Sequence, residues 1–322
     1  MEILLSCVSH NDAAWVRRVQ DLVRSVRWFG GSVSGARFIA NFVGEVPREV
    51  ESGLRDLGAD VRVVEPISPR FPHLNKLRML ELDEAARFDV LVALDCDMVI
   101  VDDFADQVPE ASVGAKPVDY DPFTDHEWRR IYETADLDPP PKILRATSSG
   151  EPVGLYFNSG VVTVPRALCG DLHREWHDRA SAMGAAYQRE RHAIGELYLE
   201  QSALGVAIQH AGLPWVPLPV AMNFPCHMPV HLSALESSPS PAILHYHDRV
   251  DRRGFLERPA CAAAAPAADR FNRRRAEHLG LPYEELRRRP VLGRMWRSAR
   301  GRTRRVWRRR HRIRTLVGAR RR

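Results

Sequence analysis

Two aspartates separated by a single residue follow an apolar stretch of the chain. Residues 90–94 are all apolar, and Asp95 and Asp97 come directly after them with Cys96 between. Alternate residues on a strand face the same way, so we expect both carboxylates to face one target while Cys96 points elsewhere. Two such carboxylates repel each other unless a cation lies between them. The pattern predicts a site for a hard divalent cation, Mg²⁺ or Mn²⁺, that reaches phosphates; the alternative is a strand end whose aspartates only cap a turn.

Strands and helices alternate over the part of the chain that leads to these aspartates. The pattern predicts strands at 2–8, 37–43, 60–64 and 89–94, and helices after Asn11-Asp12, from Pro47 towards Leu57 and over 73–88. Such alternation predicts a parallel sheet with helices on both faces. Ligands bind beyond the carboxyl ends of such strands, which is where we expect Asp95 and Asp97.

The chain after residue 104 is less regular. We expect strands at 112–118, 154–164, 215–218 and 242–247, helices at 125–135, 166–183 and 195–210, a loop at 138–150 and an Ala-rich linker at 261–268. Two histidines, His245 and His247, fall in the last of these strands. Because residues two apart share one face of a strand, spacing does not choose between them as ligands.

Five segments resemble, in the correct order, those of known glycosyltransferases. LDCDMVIVDDF (94–104) is similar to the D-x-D segment of GT-A-fold enzymes, which bind a nucleotide-sugar through a divalent metal. The others resemble segments of glycosyltransferase family 8: YFNSGVV (156–162), EQSA (200–203), PVAMNF (219–224) and ILHY (243–246). The resemblance covers roughly residues 1–250. It implies an α/β GT-A fold with a mixed, mostly parallel sheet and helices on both faces.

The resemblance also implies which residues form the site. As metal ligands it implies Asp95, Asp97 and a histidine, either His245 or His247. Near the reacting sugar it implies Asn158, Glu200 and Gln201, and on the donor side Lys76, Asp95 and Gly160. Ser9 and Asn11 lie at the end of the first strand, where a nucleotide base and ribose would bind; the alternative is that either is only a helix N-cap.

Each of these positions has a purely structural alternative. Asn158 and Gly160 are also what a close backbone approach in a strand requires. Glu200 and Gln201 lie in a helical pattern, where a solvated face is the ordinary role, and His245 could be a core histidine. Lys76 precedes the D-x-D strand, where it could pair with phosphate, with the aspartates or with solvent.

One departure from family 8 concerns the segment after the last histidine. In that family a glycine and then Lys-Pro-Trp usually follow, and the lysine reaches a phosphate. Here residues 245–255 read HYHDRVDRRGF and contain no lysine. Arg249, Arg252 or Arg253 would have to serve instead, or the role is lost. A neighbouring GT-A family is therefore an alternative to family 8.

The formal net charge of +6 hides a division of the chain. Residues 287–322 hold 17 arginines and no acidic residue, which leaves 30 basic and 41 acidic residues elsewhere, a net charge of −11. A nucleic-acid-binding fold usually carries its basic surface on the fold itself, so nucleic acid is an unexpected partner. The five cysteines form no C-x-x-C pair, which argues against a zinc knuckle and favours a reducing compartment.

The arginine-rich segment suggests a location rather than a chemistry. We expect a GT-A domain at 1–258, a linker and helix at 259–286 and an amphipathic tail at 287–322. Apolar residues recur in the tail at helical spacing, which suits an anionic membrane surface; a solubilising tail and a nucleic-acid contact are the alternatives. With no signal-peptide pattern and no 18-residue apolar stretch, we expect a cytoplasmic protein, peripheral on the inner face of the membrane if the tail binds there.

These observations predict a metal-dependent glycosyltransferase. The expected donor is a nucleotide-diphosphate sugar, with a UDP-sugar favoured, and the expected acceptor is a glycan or a lipid-linked group. A nucleotidyltransferase that makes nucleotide-sugars is one alternative, although the Gly-rich basic loop expected after its first strand is missing from SHNDAAWVRR (9–18). A non-catalytic, membrane-associated binding protein of the same fold is another.

Overall fold

The computed structural model of the chain describes residues 1–83, 87–190, 193–237 and 240–284. The chain divides into two compact units, Met1–Phe271 and Asn272–Arg322, and the residues of the candidate site belong to the first. This unit continues beyond residue 258, where the sequence suggested that the catalytic domain ends. The predicted tail at 287–322 lies outside the described residues.

The described elements alternate as expected over the first hundred residues. The strands are β1 (Ile3–His10), β2 (Arg37–Val43), β3 (Ala59–Val64), β4 (Val90–Asp95), β5 (Met98–Ile100), β6 (Val113–Pro117), β7 (Leu144–Arg145), β8 (Pro152–Val153), β9 (Phe157–Pro165), β10 (Trp215–Pro217), β11 (Phe224–Pro225) and β12 (Ile243–His245). The helices are α1 (Ala13–Phe29), α2 (Arg48–Asp56), α3 (Asp125–Glu133), α4 (Arg166–Glu190), α5 (Ala193–Leu197), α6 (Leu199–His210), α7 (Leu232–Ser237) and α8 (Ala265–His278). Among these described helices, none has both the length and the apolar character that crossing a bilayer requires.

The central sheet of the described residues has seven strands in the order β10-β6-β9-β4-β1-β2-β3. Strand β1 runs parallel to β2 and β4, β2 is parallel to β3, and β10 is parallel to β6. Strand β9 runs antiparallel between β4 and β6. The sheet is therefore mixed and mostly parallel, as predicted.

Neighbouring residues of β4 pack into two different cores. Leu91 lies in the core that contains Trp176 of α4 and Leu204 of α6, whereas Val92 lies in the core that contains Leu22 of α1. Because strand side chains alternate, a strand that is apolar throughout needs cover on both faces. Helices on both faces provide that cover and hold the carboxyl end of β4 in place.

Helix α1 begins directly after β1, at the edge of the sheet where β4 also ends. The Asp12 carboxylate caps the helix by accepting hydrogen bonds from the backbone N–H groups of Ala14 and Trp15. The buried apolar residues of α1 recur every three or four positions and so form one face of the helix. Residues at other positions of its first two turns, including Trp15 and Arg18, are partly exposed.

A second, three-stranded sheet in the order β11-β12-β5 joins the D-x-D segment to the last histidine segment. Strand β12 is antiparallel to β5, with His245 opposite Met98. The backbone N–H of Tyr246 donates to the carbonyl oxygen of Asp97 at 3.1 Å. Residues far apart in the chain are thereby held next to each other by backbone hydrogen bonds.

The predicted helix over 73–88 is wrong. A 3₁₀ helix spans Pro72–Met79 instead. The buried residues Leu74, Leu77 and Leu80 recur every three positions, which matches a 3₁₀ helix, because its side chains repeat every three residues. Residues 84–86 are outside the described part of the chain.

Other boundaries also differ from expectation, and α4 runs to Glu190 rather than to residue 183. The predicted helix 195–210 is divided at Tyr198 into α5 and α6. The Ala-rich stretch 261–268, expected to be a linker, contributes the first turn of α8, in keeping with alanine's strong helix propensity. The last predicted strand ends at His245 rather than at residue 247.

Candidate metal and donor site

The D-x-D segment forms a turn between two strands. Asp95 is the last residue of β4 and β5 begins at Met98, so Cys96 and Asp97 occupy the turn. The prediction that both carboxylates lie on one face of a single strand is therefore wrong. They still flank a common point, because His245 Nε2 lies 3.3 Å from Asp97 Oδ1 and 3.9 Å from Asp95 Oδ2.

Asp97, His245 and His247 form a cluster that suits a metal ion. One ligand atom from each lies within 4.8 Å of the others. Burial raises the pKa of the Asp97 carboxyl, but the charge and hydrogen bond of His245 outweigh it and hold that pKa well below its usual range. One carboxylate and two imidazoles suit a transition-metal ion such as Mn²⁺ better than Mg²⁺, which prefers an all-oxygen shell.

His247 reaches this cluster from outside the strand. Its φ of 54° is left-handed, a conformation that is uncommon for residues other than glycine. The expectation that residues 245 and 247 share one strand face is therefore wrong, but their rings stack with centroids 3.8 Å apart. Within the described residues, the buried Nδ1 of His247 has no hydrogen-bond partner. A buried imidazole nitrogen that has no hydrogen-bond partner is available to bind a metal ion.

A chain of hydrogen bonds determines which nitrogen of His245 carries the proton. The backbone N–H of Gly160 donates to Asn158 Oδ1 at 3.0 Å, which identifies that atom as the amide oxygen. Asn223 Nδ2 donates to the same oxygen at 3.0 Å, so Asn223 Oδ1 is left to accept from His245 Nδ1 at 2.9 Å. His245 therefore holds a proton on Nδ1 and directs Nε2 towards Asp97, as a metal ligand must.

The same chain continues to a buried ion pair. Asn158 Nδ2 donates to Asp119 Oδ2 at 3.2 Å, and Lys116 Nζ donates to Asp119 Oδ1 at 2.6 Å. Thr147 Oγ1 also donates to Asp119, at 2.8 Å, and the Lys116 side chain is completely buried. Asn158 was predicted to face the donor sugar. In the structure its amide oxygen and one N–H bind groups of the protein, which makes it part of the support of His245. Its contact with the donor sugar stays a prediction.

Gly160 allows the His245 ring to approach the strand. A Cβ atom at this position would lie 2.6 Å from Met98 Cε, 2.8 Å from His245 Cε1 and 3.0 Å from Asn158 Oδ1. The first two distances are shorter than any real Cβ contact. The close backbone approach that was the structural alternative for Gly160 is therefore present, and it serves the position of the imidazole.

Lys76 joins Asp95 to Glu200. Its Nζ donates to Asp95 Oδ2 at 2.9 Å and to Ser159 Oγ at 3.0 Å, and it lies 3.6 Å from Glu200 Oε2. Burial lowers the pKa of Lys76, but Asp95 and Glu200 outweigh it and raise that pKa above its usual range. Of the pairings open from sequence, the one with the aspartates is present. Asp95 is not one of the three residues of the cluster Asp97, His245 and His247, but its Oδ2 lies 3.9 Å from His245 Nε2. Its role as a metal ligand stays a prediction.

The Glu200 carboxylate is largely buried. It is 5% exposed, and within the described residues its Oε1 has no hydrogen-bond partner. Burial raises the pKa of Glu200, although Lys76 opposes the shift. A cavity of ≈ 320 Å³, lined by Glu200 together with Phe71, His73 and Leu199, opens beside it.

The remaining predicted residues have contacts of their own. Gln201, next to Glu200 on α6, donates from Nε2 to the Tyr156 hydroxyl at 2.8 Å. Asn11 donates to the carbonyl oxygen of Glu45 at 2.8 Å and is exposed. Ser9 is buried, and its Oγ has no partner among the residues that the structure describes.

Several residues of the site were not singled out from the sequence. These are Arg18, which lies 3.8 Å from Asp97, the buried pair Lys116 and Asp119, and His227, whose ring centroid lies 3.9 Å from that of His247. Only Lys116 could have been noticed from the sequence, because a lysine inside a predicted buried strand needs a partner. The segments around Arg18 and His227 show no pattern that distinguishes them from surface residues.

Comparison with known proteins identifies the class. The sequence matches the family described as a Rhodobacterales glycosyltransferase domain over residues 39–212, which is more than half of the chain. The chain therefore belongs to this glycosyltransferase family. No curated protein matches the sequence.

The chain is also similar to solved structures of glycosyltransferases. The galactosyltransferase LgtC, solved with donor and acceptor sugar analogues, is similar with a TM-score of 0.50 at 15% identity, over 85% of this chain and 95% of LgtC. This likeness confirms the predicted GT-A fold. The bifunctional glycosyltransferase WbbM gives a TM-score of 0.48 at 10% identity, over 86% of this chain, and the chain spans only about half of WbbM (51%). GlyE of Streptococcus pneumoniae gives 0.47 at 12% identity, over 84% of this chain and 60% of GlyE.

Proposed function

We propose that the protein transfers a sugar from a nucleotide-diphosphate sugar to an acceptor hydroxyl, with the help of a divalent metal ion. The observation that carries this proposal is the cluster of Asp97, His245 and His247 at the end of β4, where Asp95 also lies. Family membership supplies the reaction class, and the cluster supplies a place for the metal that binds the diphosphate.

Each residue of the site has a proposed task. Asp97, His245 and His247 hold the metal, and Asp95 approaches it from the Lys76 side. When bound, a divalent metal neutralises the diphosphate and stabilises it as the leaving group. The hydrogen-bond chain through Asn223 presents the Nε2 lone pair of His245 to the metal position. Gly160 leaves room for that ring.

On the sugar side, Glu200 and Gln201 are proposed to face the reacting carbon, and the cavity beside Glu200 is proposed to admit part of the donor sugar or the acceptor. Lys76 bridges the Glu200 and Asp95 carboxylates and offsets their mutual repulsion by pairing with both. A UDP-sugar remains the favoured donor, and a glycan or lipid-linked group the favoured acceptor. Ser9 and Asn11, near the end of β1, remain proposed contacts of the nucleoside.

A donor panel tests the proposal. Nucleotide-sugars are screened by thermal shift with Mn²⁺, with Mg²⁺ and with EDTA, and hits are assayed for release of the nucleoside diphosphate. We expect at least one nucleotide-sugar to stabilise the protein and to be hydrolysed slowly, with Mn²⁺ more effective than Mg²⁺. Cleavage that continues unchanged in EDTA would contradict the metal's role, and binding without any cleavage would favour the binding-protein alternative. Release of pyrophosphate from a nucleoside triphosphate and a sugar phosphate would favour a nucleotidyltransferase.

Replacement of Asn223 by alanine is expected to weaken Mn²⁺ binding about 10- to 100-fold, the usual effect of removing a partner that orients a metal-binding histidine. Without the Asn223 oxygen, the Nδ1 proton of His245 loses its acceptor. We would measure Mn²⁺ affinity by EPR and the His245 tautomer by ¹⁵N NMR of the ring. Gln209→Ala, which removes a surface amide bonded to the carbonyl oxygen of Asp138, is the control. An unchanged tautomer in Asn223→Ala would contradict the orienting role.

Replacement of Glu200 by glutamine is expected to stabilise the protein at pH 7 while lowering its turnover. The pKa of Glu200 is raised in the folded state, so the folded protein holds more protons than the unfolded one above the ordinary pKa of a glutamate. The stability of the wild-type protein therefore falls as the pH rises from the ordinary pKa of a glutamate through the raised pKa of Glu200. The glutamine variant avoids this loss.

The measurement is the thermal midpoint of both proteins at pH 7 and at pH 4. We expect Glu200→Gln to melt above the wild type at pH 7, with the difference shrinking at pH 4. Glu236→Gln, at an exposed glutamate, should show no such pattern. A glutamine variant that melts lower than the wild type at pH 7 would show that the ion pair with Lys76 outweighs the burial of the carboxylate.

The tail at 287–322 remains a proposal about location. Its arginines are proposed to hold the protein at an anionic membrane surface on the cytoplasmic side. Co-sedimentation of the full chain and of residues 1–286 with anionic vesicles tests this, and equal binding by both would contradict it.

A further inference from the structure

An arginine beside the metal cluster has hydrogen-bond donors that no acceptor uses in the part of the chain that the structure describes. Arg18 Nη1 lies 3.8 Å from Asp97 Oδ2, which is an ion pair but is too long for a hydrogen bond. Among the described residues, no acceptor takes a hydrogen bond from the Arg18 guanidinium. The side chain is 20% exposed, so the group is sheltered but reachable. An arginine carries five N–H donors in one plane, and here they lie unused next to Asp97.

Two aromatic rings hold this guanidinium in place. Its central carbon lies 4.3 Å from the centroid of the Trp15 ring and 5.7 Å from that of Tyr246. Trp15 precedes Arg18 by one helical turn of α1, and Tyr246 stands between the two metal-site histidines in the chain. Contacts between a cation and ring faces attract the guanidinium and limit its motion, so less freedom is lost when it binds an anion.

The location of Arg18 suits a diphosphate. Helix α1 follows β1, and Val8 of β1 is paired with Asp95 of β4, so the start of α1 lies at the same sheet edge as the D-x-D turn. A diphosphate that shares a metal with Asp97 must place its oxygens within a few ångströms of that carboxylate. A guanidinium binds two phosphate oxygens at once, which a lysine does not.

Two of the three alternatives suggested by the sequence form ion pairs elsewhere. Arg249 forms an ion pair with Glu257 at 3.9 Å, and Arg253 forms one with Asp251 at 3.7 Å. Arg252 is exposed. Arg18, in contrast, has its ion pair with a residue of the metal cluster itself.

We propose that Arg18 binds the diphosphate of the donor, in place of the lysine that this chain lacks after its last histidine. The proposal rests on the proposed function. It moves the phosphate-binding cation from the segment after β12 to the first helix. The competing interpretation is that Arg18 only neutralises Asp97, and the two interpretations predict opposite effects on ligand binding.

The test compares Arg18→Met with wild type by calorimetry, using three probes: Mn²⁺ alone, UDP with Mn²⁺, and inorganic pyrophosphate with Mn²⁺. If Arg18 binds phosphate, UDP and pyrophosphate affinities fall about 10- to 100-fold, the value of hydrogen bonds to a charged group. Mn²⁺ alone then binds equally well or more tightly, because a neighbouring positive charge has been removed. Arg18→Lys should lose part of the affinity, since it keeps the charge without the planar fork.

The control is Arg17→Met, which removes the adjacent arginine of the same helix and should leave all three affinities unchanged. UDP and pyrophosphate affinities that rise together with that of Mn²⁺ in Arg18→Met would overturn the proposal in favour of simple neutralisation. Wild-type protein that binds neither UDP nor pyrophosphate would overturn it as well. Pyrophosphate binding that depends on Arg18, in a protein that cleaves no nucleotide-sugar, would support this proposal and contradict the proposed function.

Discussion

Replacement of Asp97 by asparagine is expected to lower metal-dependent donor cleavage about 1000-fold, because charge stabilisation by a metal is worth several kcal/mol and each factor of ten corresponds to about 1.4 kcal/mol. Asp97 is the carboxylate of the three-residue cluster, and its Oδ1 lies 3.3 Å from His245 Nε2. Asparagine keeps the size of the side chain but removes its charge. The measurement is the rate of nucleoside diphosphate release from the best donor, with Mn²⁺ titrated to saturation.

A second aspartate of the same segment provides the control. Asp102 is exposed and lies 4.0 Å from Arg270, so Asp102→Asn should cleave the donor at nearly the wild-type rate. Circular dichroism and Mn²⁺ affinity should accompany both variants, because Asp97 also pairs with His245 and Arg18. An Asp97→Asn protein that is folded and cleaves the donor at the wild-type rate would eliminate the proposed metal site.

Replacement of Lys116 by methionine is expected to destabilise the protein by about 3–5 kcal/mol, the usual effect of leaving a buried charge without its partner. Lys116 is completely buried, and its ammonium is 2.6 Å from Asp119. Burial raises the pKa of the Asp119 carboxyl, but Lys116 outweighs it and holds that pKa below its usual range. The measurement is the urea midpoint of the unfolding transition, followed by tryptophan fluorescence.

The chain contains a matched pair for comparison. Lys142 lies at the same 2.6 Å from Asp125, but its side chain is 44% exposed and that of Asp125 is 73% exposed. Since exposed ion pairs contribute little, Lys142→Met should change the stability by no more than about 1 kcal/mol. Equal effects of the two substitutions would show that burial does not determine the strength of these ion pairs. They would also contradict the view that the Lys116–Asp119 pair anchors the hydrogen bonds that support His245.

The parts of the fold that were predicted well are those with a strong local pattern. Strand β2 begins and ends at the predicted residues, and the apolar run of β4 correctly indicated a strand covered on both faces. The 3₁₀ helix at Pro72–Met79 was missed because apolar residues spaced by three also fit an α-helix. The spacing of apolar residues alone does not distinguish a 3₁₀ helix from an α-helix, because tertiary contacts determine which of them forms.

The site shows a similar division. Asp97 was singled out by its place after an apolar strand and His245 by resemblance, and their proximity was implied by the metal that such a pair would hold. Lys116 and Asp119 were not found, because a strand pattern does not reveal which polar side chain will meet a partner in the interior. Arg18 was not found either, since an arginine on an amphipathic helix ordinarily faces solvent. Its place beside Asp97 depends on how α1 lies against the sheet.

The hydrogen bonds that orient His245 all point in one direction. His245 donates to Asn223, Asn223 to Asn158, and Asn158 to Asp119. A carboxamide donates and accepts hydrogen bonds, but it gives up its own protons far too reluctantly to pass them along. The two asparagines therefore act as an insulator between the imidazole and the Asp119 carboxylate, in contrast to the water or hydroxyl groups of a proton-conducting path. When a metal binds, any proton that His245 carries on Nε2 must therefore leave on the side of Asp97, because Nδ1 is held by Asn223.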